Sequence, residues 1–420
     1  MRIGWATPFN QRSAIGKFSR FVGEELRARG HEVAIIRLES GPELELPLLE
    51  ADLPILPADS PDIGPLDVLV VNFGNHAPYH AQSMSLLASR APLAIFHDAE
   101  MRDFEWGLQT RHGLDLPRLH GSAAADPSGT DLVAGEARPV LGMFAAMSWG
   151  AVVHGPHYRE TVERYCPGPV EVIPLCYPDD GVVVEAKPPS KGRRVIIFGV
   201  ITEHKQPRRV MRAIAGLKEK LGPIELHLAG AIEDRYRTTL QQEAKKLGIA
   251  PPKFHGYVSD EKLRDLIADS HAICCLRHPV TEGGSASLVT SLYNQRPLIV
   301  ADIASYSMVP DDLAFKVSYG EQIADLEQAL LTIFNDPQSA EERARRARIW
   351  AEDRYSAKAY VDALLPLLDK RSAASTLAQL ARDLVGPLTS PDGEPMISAV
   401  TDCAEVLDWM SASQAGAHAR

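Results

Sequence analysis

The chain has 420 residues, which suggests two or three domains, and ordinary hydrophobic (45%) and charged (24%) fractions for a folded globular protein. With 44 basic against 55 acidic side chains it carries a net charge of −11, which excludes a bulk nucleic-acid binder but leaves room for a local phosphate site. Five scattered cysteines fit neither a disulfide framework nor a zinc site, and Cys274 and Cys275, inside an apolar run, read as core thiols of a protein in a reducing cytoplasm.

Residues 2–7 read as a strand that enters the loop Pro8–Ser13. A helix follows, with Phe18, Phe21, Val22 and Leu26 on one face and Gly30 at its stop. His31–Leu38 reads as a second strand, so the chain opens as a βαβ unit, which favours a parallel sheet. The start lacks the apolar core of a signal peptide. No run is long enough for a membrane span, so any membrane contact is expected to be peripheral, at the inner membrane face.

Asp67–Asn72 is a compact apolar strand that ends in Asn72-Phe73-Gly74-Asn75-His76. Pro92–Phe96 ends in His97-Asp98, and Ala151–His154 ends in Gly155-Pro156-His157. Ligands of open α/β sheets bind beyond the carboxyl ends of the strands. Histidines at three such ends (His76, His97 and His154) mark this rim as a candidate site, with Asp98 placed to orient or charge an imidazole. Gly121–Arg138 reads as a loop, and residues 186–192 as a linker.

The pattern then restarts. Arg194–Phe198 is a strand, Gly199–Gln206 a loop and Pro207–Lys218 a helix whose Pro207 suits the first turn. Glu225–Ala229, His271–Leu276 and Leu298–Ala301 are further strands, and Glu261–Ala268 is a helix between two of them. From Gln338 onward the chain is helical in character. Arg343, Arg345, Arg346 and Arg348 crowd one part, as a solvated face or an anion site.

The sharpest segment is 274–302. A buried strand runs into the turn Glu282-Gly283-Gly284-Ser285, and the turn into a helix whose first amides, at Ser285, Ala286, Ser287 and Leu288, offer unpaired donors to a phosphate. Two readings of Glu282 stand side by side. It holds hydroxyls of a sugar or ribose, or it caps the helix. Arg277 is available as compensating charge. Lys205, between a strand and a helix, is either a point charge for a phosphate or a surface lysine. No Walker loop, HExxH or dinucleotide fingerprint is present.

Three segments together carry a resemblance: Phe198-Gly199-Val200-Ile201 leading to Lys205, Phe254-His255-Gly256-Tyr257-Val258-Ser259, and Glu282-Gly283-Gly284-Ser285-Ala286-Ser287-Leu288. With Asp302 and Pro310-Asp311-Asp312, they make residues 1–370 resemble a family-4-type retaining glycosyltransferase, in a subgroup associated with bacterial polysaccharide assembly. The resemblance implies an α/β architecture of the GT-B type, two Rossmann-like domains whose parallel sheets face a central cleft. Residues 1–188 would form the acceptor domain and 189–354 the donor domain, with helices in 355–420 packing back on the first.

It implies a UDP- or GDP-sugar as donor substrate and no metal or other cofactor. The acceptor would be a carbohydrate, a lipid-linked molecule or a small molecule. His97 falls beside the transferred sugar. Gly199, Arg208, Arg209, His255, Gly256, Tyr257, Arg277 and the 283–288 turn fall on the donor. The loop Asn10–Lys17, with Asn10, Ser13, Ile15 and Gly16, falls where the first domain covers the diphosphate, and Asn75, His76, Asp98 and His154 fall on the acceptor side. The chain departs from the pattern at Thr290, where the family has a ribose-gripping glutamate, and at Val200, where it has an arginine. An epimerase or hydrolase of the same architecture, or a sugar-nucleotide binder without activity, are the alternatives.

Overall fold

The computed structural model describes residues 1–80, 82–89, 91–112, 139–178 and 192–370. The loop expected at 121–138, most of the linker at 186–192, the expected boundary at 188/189 and the tail beyond 370 lie outside these. The chain divides into two compact units. Unit 1 comprises Met1–Pro174, Glu282–Gly284 and, among described residues, 360–370. Unit 2 comprises Leu175–Thr281 and Ser285–Ala359.

Unit 1 is built on seven parallel strands: β1 (Arg2–Thr7), β2 (Glu32–Arg37), β3 (Ile55–Pro57), β4 (Val68–Phe73), β5 (Leu93–Phe96), β6 (Gly150–Val153) and β7 (Val170–Val172). Their spatial order is β3-β2-β1-β4-β5-β6-β7. The central strands are buried along their whole length because both faces are covered, and apolar except for Asn72 of β4. On one face α1 (Ala14–Ala28) places Phe18, Val22 and Leu26 against the sheet, and Ser13 starts it by accepting the Gly16 amide on its Oγ at 3.0 Å. Phe18 meets Trp5 of β1 and Tyr360 of α13 (Ala357–Asp369) at ring distances of 6.3 and 5.1 Å. On the other face Phe73, Phe96 and Phe144 stack. They join the short helices α2 (Ala77–His80) and α3 (Ser83–Ser89), α4 (Arg102–His112), α5 (Pro139–Ala146) and α6 (Arg159–Glu163) in one core.

Unit 2 has six parallel strands in the order β10-β9-β8-β11-β12-β13: β8 (Arg193–Phe198), β9 (Ile224–Ala229), β10 (Lys253–Gly256), β11 (Ala272–Cys275), β12 (Leu298–Ala301) and β13 (Phe315–Val317). Its helices are α7 (Pro207–Leu221), α8 (Asp234–Leu247), α9 (Asp260–Ala268), α10 (Ala286–Tyr293), α11 (Ala324–Asn335) and α12 (Pro337–Arg354). Alternate residues of the strands feed two cores, one on each face of the sheet. Val195 and Ile197 lie in one, Ile196 and Phe198 in the other. Cys274 and Cys275 split between the same two cores, as free buried thiols.

In the arginine-rich helix α12, Arg345 and Arg346 are exposed as a solvated face would have them, Arg343 is half-buried and Arg348 is buried. Arg343 donates to the carbonyls of Asp311 and Ala314, Arg346 pairs with Asp312, and buried Arg348 reaches the Tyr293 carbonyl at the end of α10. These side chains supply donors to carbonyls that a turn and a helix end leave open.

Candidate functional site

The donor-side residues of unit 2 gather at the carboxyl ends of its strands. After β8 the chain turns on Gly199 at φ +89°, a backbone region that favours glycine. It then makes a single helical turn at Glu203–Lys205 and enters α7 through Gln206, at φ +52°. Gln206 is held there by its own amide, which donates to the Gly320 carbonyl at 3.0 Å and accepts from Arg209 at 3.2 Å. The result brings Lys205 back over the strand end. Its Nζ donates to Ser287 Oγ at 3.2 Å. A Cβ on Gly199 would lie 3.0 Å from that hydroxyl and 3.2 Å from the ammonium, so the glycine, the lysine and the serine share one small volume.

Ser287 stands in the first turn of α10. Ser285 caps this helix by accepting the Leu288 amide at 3.3 Å. The capping role open to Glu282 in the sequence is therefore filled by Ser285. The amides of Ala286 and Ser287 remain at the positive end of the helix dipole, where no intrahelical acceptor exists by position. Thr290 lies one turn further along and is half-buried.

Neighbouring loops are braced to the Gly199 turn by main chain alone. The Gly199 amide donates to Ala229 O, Ile201 to Ala231 O and Gly230 to Gly256 O, at 3.0, 2.8 and 2.8 Å. Gly230, which sequence inspection passes over, is essential to the brace. It sits at φ +144°, and a Cβ there would lie 1.9 Å from the Gly199 carbonyl oxygen. A glycine directly after an apolar strand was the available signal. Three large apolar side chains project from these loop ends: Val200 after β8, Tyr257 after β10 and Tyr319 after β13, at 64, 77 and 55% exposure. His255 is half-buried beside His227.

Two arginines expected on the donor are otherwise engaged. Arg209 is 1% exposed, and its guanidinium bonds to Ser318 O at 2.8 Å, to Asp325 Oδ1 at 3.0 Å and to Gln322 O. It holds the turn before α11. Arg208 is paired with Glu203 and Glu243 at 3.6 and 3.7 Å on the surface. Arg277 follows β11, half-buried.

In unit 1 the loop 8–13 is firmly built. Glu39, with a wholly buried side chain, accepts the Phe9 amide at 2.7 Å and the Asn10 side-chain amide at 3.1 Å, while Arg37 lies 3.4 Å from it. Asn10 in turn accepts the Arg12 amide, and Gly16 is packed so that a Cβ would meet Pro8 O at 2.8 Å. Ile15 reaches over Gly74, where a Cβ would lie 2.6 Å from its Cδ1. Asn75 donates its amide to Asp98 at 2.7 Å and accepts the Phe104 amide at 3.0 Å, fixing the start of α4. His76 is exposed against Tyr79.

His97, expected beside the transferred sugar, directly follows β5 and is 7% exposed. It is turned inward, with Nε2 2.9 Å from Asn72 Oδ1 and Nδ1 3.2 Å from His154 Nε2, so both ring nitrogens have protein partners. Its carbonyl, not its ring, faces the Gly-Gly turn and accepts the Gly283 amide at 2.8 Å. Asp98 and Glu282 form an antiparallel bridge beside it, and His157 Nε2 donates to the Glu282 carbonyl at 3.2 Å. Gly283 lies so close to Tyr158 that a Cβ would fall 2.1 Å from the hydroxyl. Burial pushes His154 down to about 4, His97 well below the ordinary histidine value and His80 down to about 3.

Among the described residues no group of metal-ligating side chains is assembled, and no helix is long and apolar enough to cross a membrane.

Residues 184–350 match the family model described as glycosyl transferases group 1. No curated protein matches the chain. Among solved structures, Anabaena HepE in complex with UDP and glucose aligns over 88% of this chain and 100% of its own, with a TM-score of 0.60 and 12% identity. Sucrose-phosphate synthase from Thermosynechococcus elongatus aligns over 92% and 100%, with a TM-score of 0.56 and 14% identity. A glycosyltransferase from Rickettsia africae aligns over 89% and 98%, with a TM-score of 0.59 and 12% identity. The two parallel-sheet units thus make up a GT-B fold, and the stretch that carries the Gly199–Lys205–Ser287 cluster is the one similar to the group 1 glycosyltransferases.

Proposed function

We propose that the protein is a glycosyltransferase that takes a hexose from a UDP- or GDP-sugar and transfers it to an acceptor hydroxyl. One observation carries this reading: the Lys205 ammonium meets the Ser287 hydroxyl at 3.2 Å, over a glycine turn and at the amide end of α10. A cation, a hydroxyl and outward amides around one small volume suit a diphosphate. The UDP and glucose named with the HepE structure favour UDP over GDP.

As the sugar–phosphate bond breaks, negative charge grows on the departing diphosphate. Lys205 and the amides of Ala286 and Ser287 are fixed in advance where that charge develops, so they stabilise the transition state more than the bound donor. They supply the positive charge that a metal would otherwise bring, and the reaction is metal-independent on this reading. The acceptor hydroxyl, held by unit 1, attacks from the face the diphosphate leaves, and the leaving phosphate takes its proton, giving retention. Glu282 orients the sugar hydroxyls. The acceptor is a carbohydrate or a lipid-linked or small hydroxyl compound of polysaccharide or glycoconjugate assembly.

The test is a thermal-shift series with UDP-, GDP- and dTDP-sugars, followed by transfer assays on the donor that binds. A ligand that binds only the folded state raises the melting temperature with concentration. A rise with one nucleotide class that Lys205→Ala abolishes supports the reading. A folded protein that responds to none of them at millimolar concentration removes it.

A further inference from the structure

Among the described residues two pairs of histidines meet, one in each unit, and their hydrogen counts separate them. In unit 2, His227 Nε2 lies 3.4 Å from Glu225 Oε2, and His227 Nδ1 lies 3.3 Å from His255 Nε2. A carboxylate only accepts, so His227 carries its hydrogen on Nε2 and offers a lone pair at Nδ1. His255 donates to that lone pair from Nε2. Both rings are neutral and each link holds one hydrogen.

The chain in unit 1 does not balance in this way. It runs from Ala6 O to Asn72 Nδ2 (3.0 Å), from Asn72 Oδ1 to His97 Nε2 (2.9 Å), from His97 Nδ1 to His154 Nε2 (3.2 Å) and from His154 Nδ1 to Ile173 O (2.9 Å). Both ends are main-chain carbonyls, which only accept. Between them stand one amide and two imidazoles, and each neutral group puts one hydrogen into the chain. Four links therefore share three hydrogens. Turning the Asn72 amide over, or exchanging ring tautomers, moves the empty link but does not fill it. Wherever it falls, two lone pairs face each other in a place where Asn72, His97 and His154 are all buried.

We propose that His97 and His154 form a single proton-binding site, which takes up one hydrogen ion as a pair in mildly acidic solution and so completes a chain across β1, β4, β5, β6 and the residue after β7. Strand register builds the site. Phe96 pairs with Val153, so the next residues of β5 and β6 fall side by side. The ionisable groups that face the pair come from several elements. His80 on α2 donates Nδ1–H to Asn72 O at 3.0 Å and opposes further positive charge. Tyr158, after β6, accepts the His154 amide and donates to Phe96 O, so its hydroxyl hydrogen is committed elsewhere. Asp98 adjoins His97 and accepts the Asn75 amide. Tyr360 of α13 lies 6.0 Å from the His154 ring, and α1 contributes the uncharged edge of Phe18 to both rings. Burial works against uptake, and the empty link works for it. The joint step therefore falls below the ordinary histidine value. The main chain of His97 also accepts the Gly283 amide, so the pair adjoins the Glu-Gly-Gly turn.

The inference does not depend on glycosyl transfer, and the test needs no substrate. The full chain, labelled with 15N-histidine, is titrated from neutral pH to the acid limit of the folded state, with long-range proton–nitrogen spectra read at each step. His97 and His154 should move together through one transition worth one hydrogen ion, and His227 and His255 should not join it. His154→Gln supplies an amide with two hydrogens, one for His97 Nδ1 and one for Ile173 O. It should abolish the transition and leave His97 neutral throughout. Asn72→Asp replaces the neutral amide beside His97 with a carboxylate and should raise the midpoint by about one unit or more. Two independent transitions, no charging of either ring before unfolding, or an unchanged His97 midpoint in His154→Gln would each overturn the proposal. If His154→Gln does not fold, the direction of the Asn72→Asp shift decides.

Discussion

Gly230 and Gly199 touch through their main chains: a Cβ placed on Gly230 would lie 1.9 Å from the Gly199 carbonyl oxygen. The obstacle is backbone rather than a movable side-chain tip, and φ at Gly230 is +144°. Gly230→Ala should cost at least about 2 kcal/mol of stability through strain and displacement. It should also weaken donor binding, because the Gly199 turn must shift. Melting temperature and nucleotide affinity, measured on the same preparation, check both effects.

Lys205→Ala should lower kcat by about a hundredfold to a thousandfold, the range for removing one pre-aligned donor to a developing negative charge. Its effect on stability should be small, since the side chain is half-buried at a loop end. Lys205→Arg should not restore full activity. A planar guanidinium cannot occupy the volume that the ammonium shares with Ser287 Oγ and Gly199. Steady-state kinetics on all three proteins decide this.

Glu39→Ala should destabilise unit 1 by about 3–5 kcal/mol, the cost of leaving a partner of a buried charge unpaired. The Phe9 amide, the Asn10 side chain and Arg37 all lose their acceptor. Glu39→Gln keeps an acceptor oxygen for Phe9 and should cost less. Chemical denaturation of the two variants ranks them.

Stability should fall as pH drops below about 6.5, and more steeply than carboxylates alone would cause. The folded state holds His80 down to about 3 and His271 down to about 4, both chiefly by burial. The unfolded chain binds hydrogen ions at these histidines near the ordinary value, and the folded chain does not. The unfolded state therefore gains from about 6.5 downward until each folded value is reached, at about 1.4 kcal/mol for each unit of difference. Above neutrality these groups contribute no slope. Melting temperature against pH, with His80→Gln as a comparison, tests the sign.

The central strands and the helices α1, α7, α9 and α10 were legible because their apolar periodicity and their Pro, Gly and Ser punctuation are local, whereas the short edge strands β3 and β7 and the polar helix α8 were not read. Ser13, Pro207 and Gly199 stand where helix starts and a tight turn require them. The Lys205–Ser287 contact was legible in kind, since a lysine before one helix and a serine opening another both belong to strand ends. Its distance was not, because 82 residues separate the two. Buried Glu39 was illegible. A carboxylate at the end of a strand looks solvated until its long-range donors are seen. The burial of Arg209 was illegible for the same reason, since its acceptors are the carbonyls of a turn over a hundred residues away. The inward turn of His97 depends on the alignment of two parallel strands, which no single segment encodes.

The brace between the Gly199, Gly230 and Gly256 loops is made by main-chain amides and carbonyls, while the side chains at its crests, Val200 and Tyr257, point away into solvent. Frame and lining are therefore separable in this unit. An engineer who wishes to change what the protein accepts can randomise the two crest positions without touching the scaffold. The three glycines, by contrast, belong on the short roster of positions that a library should leave alone.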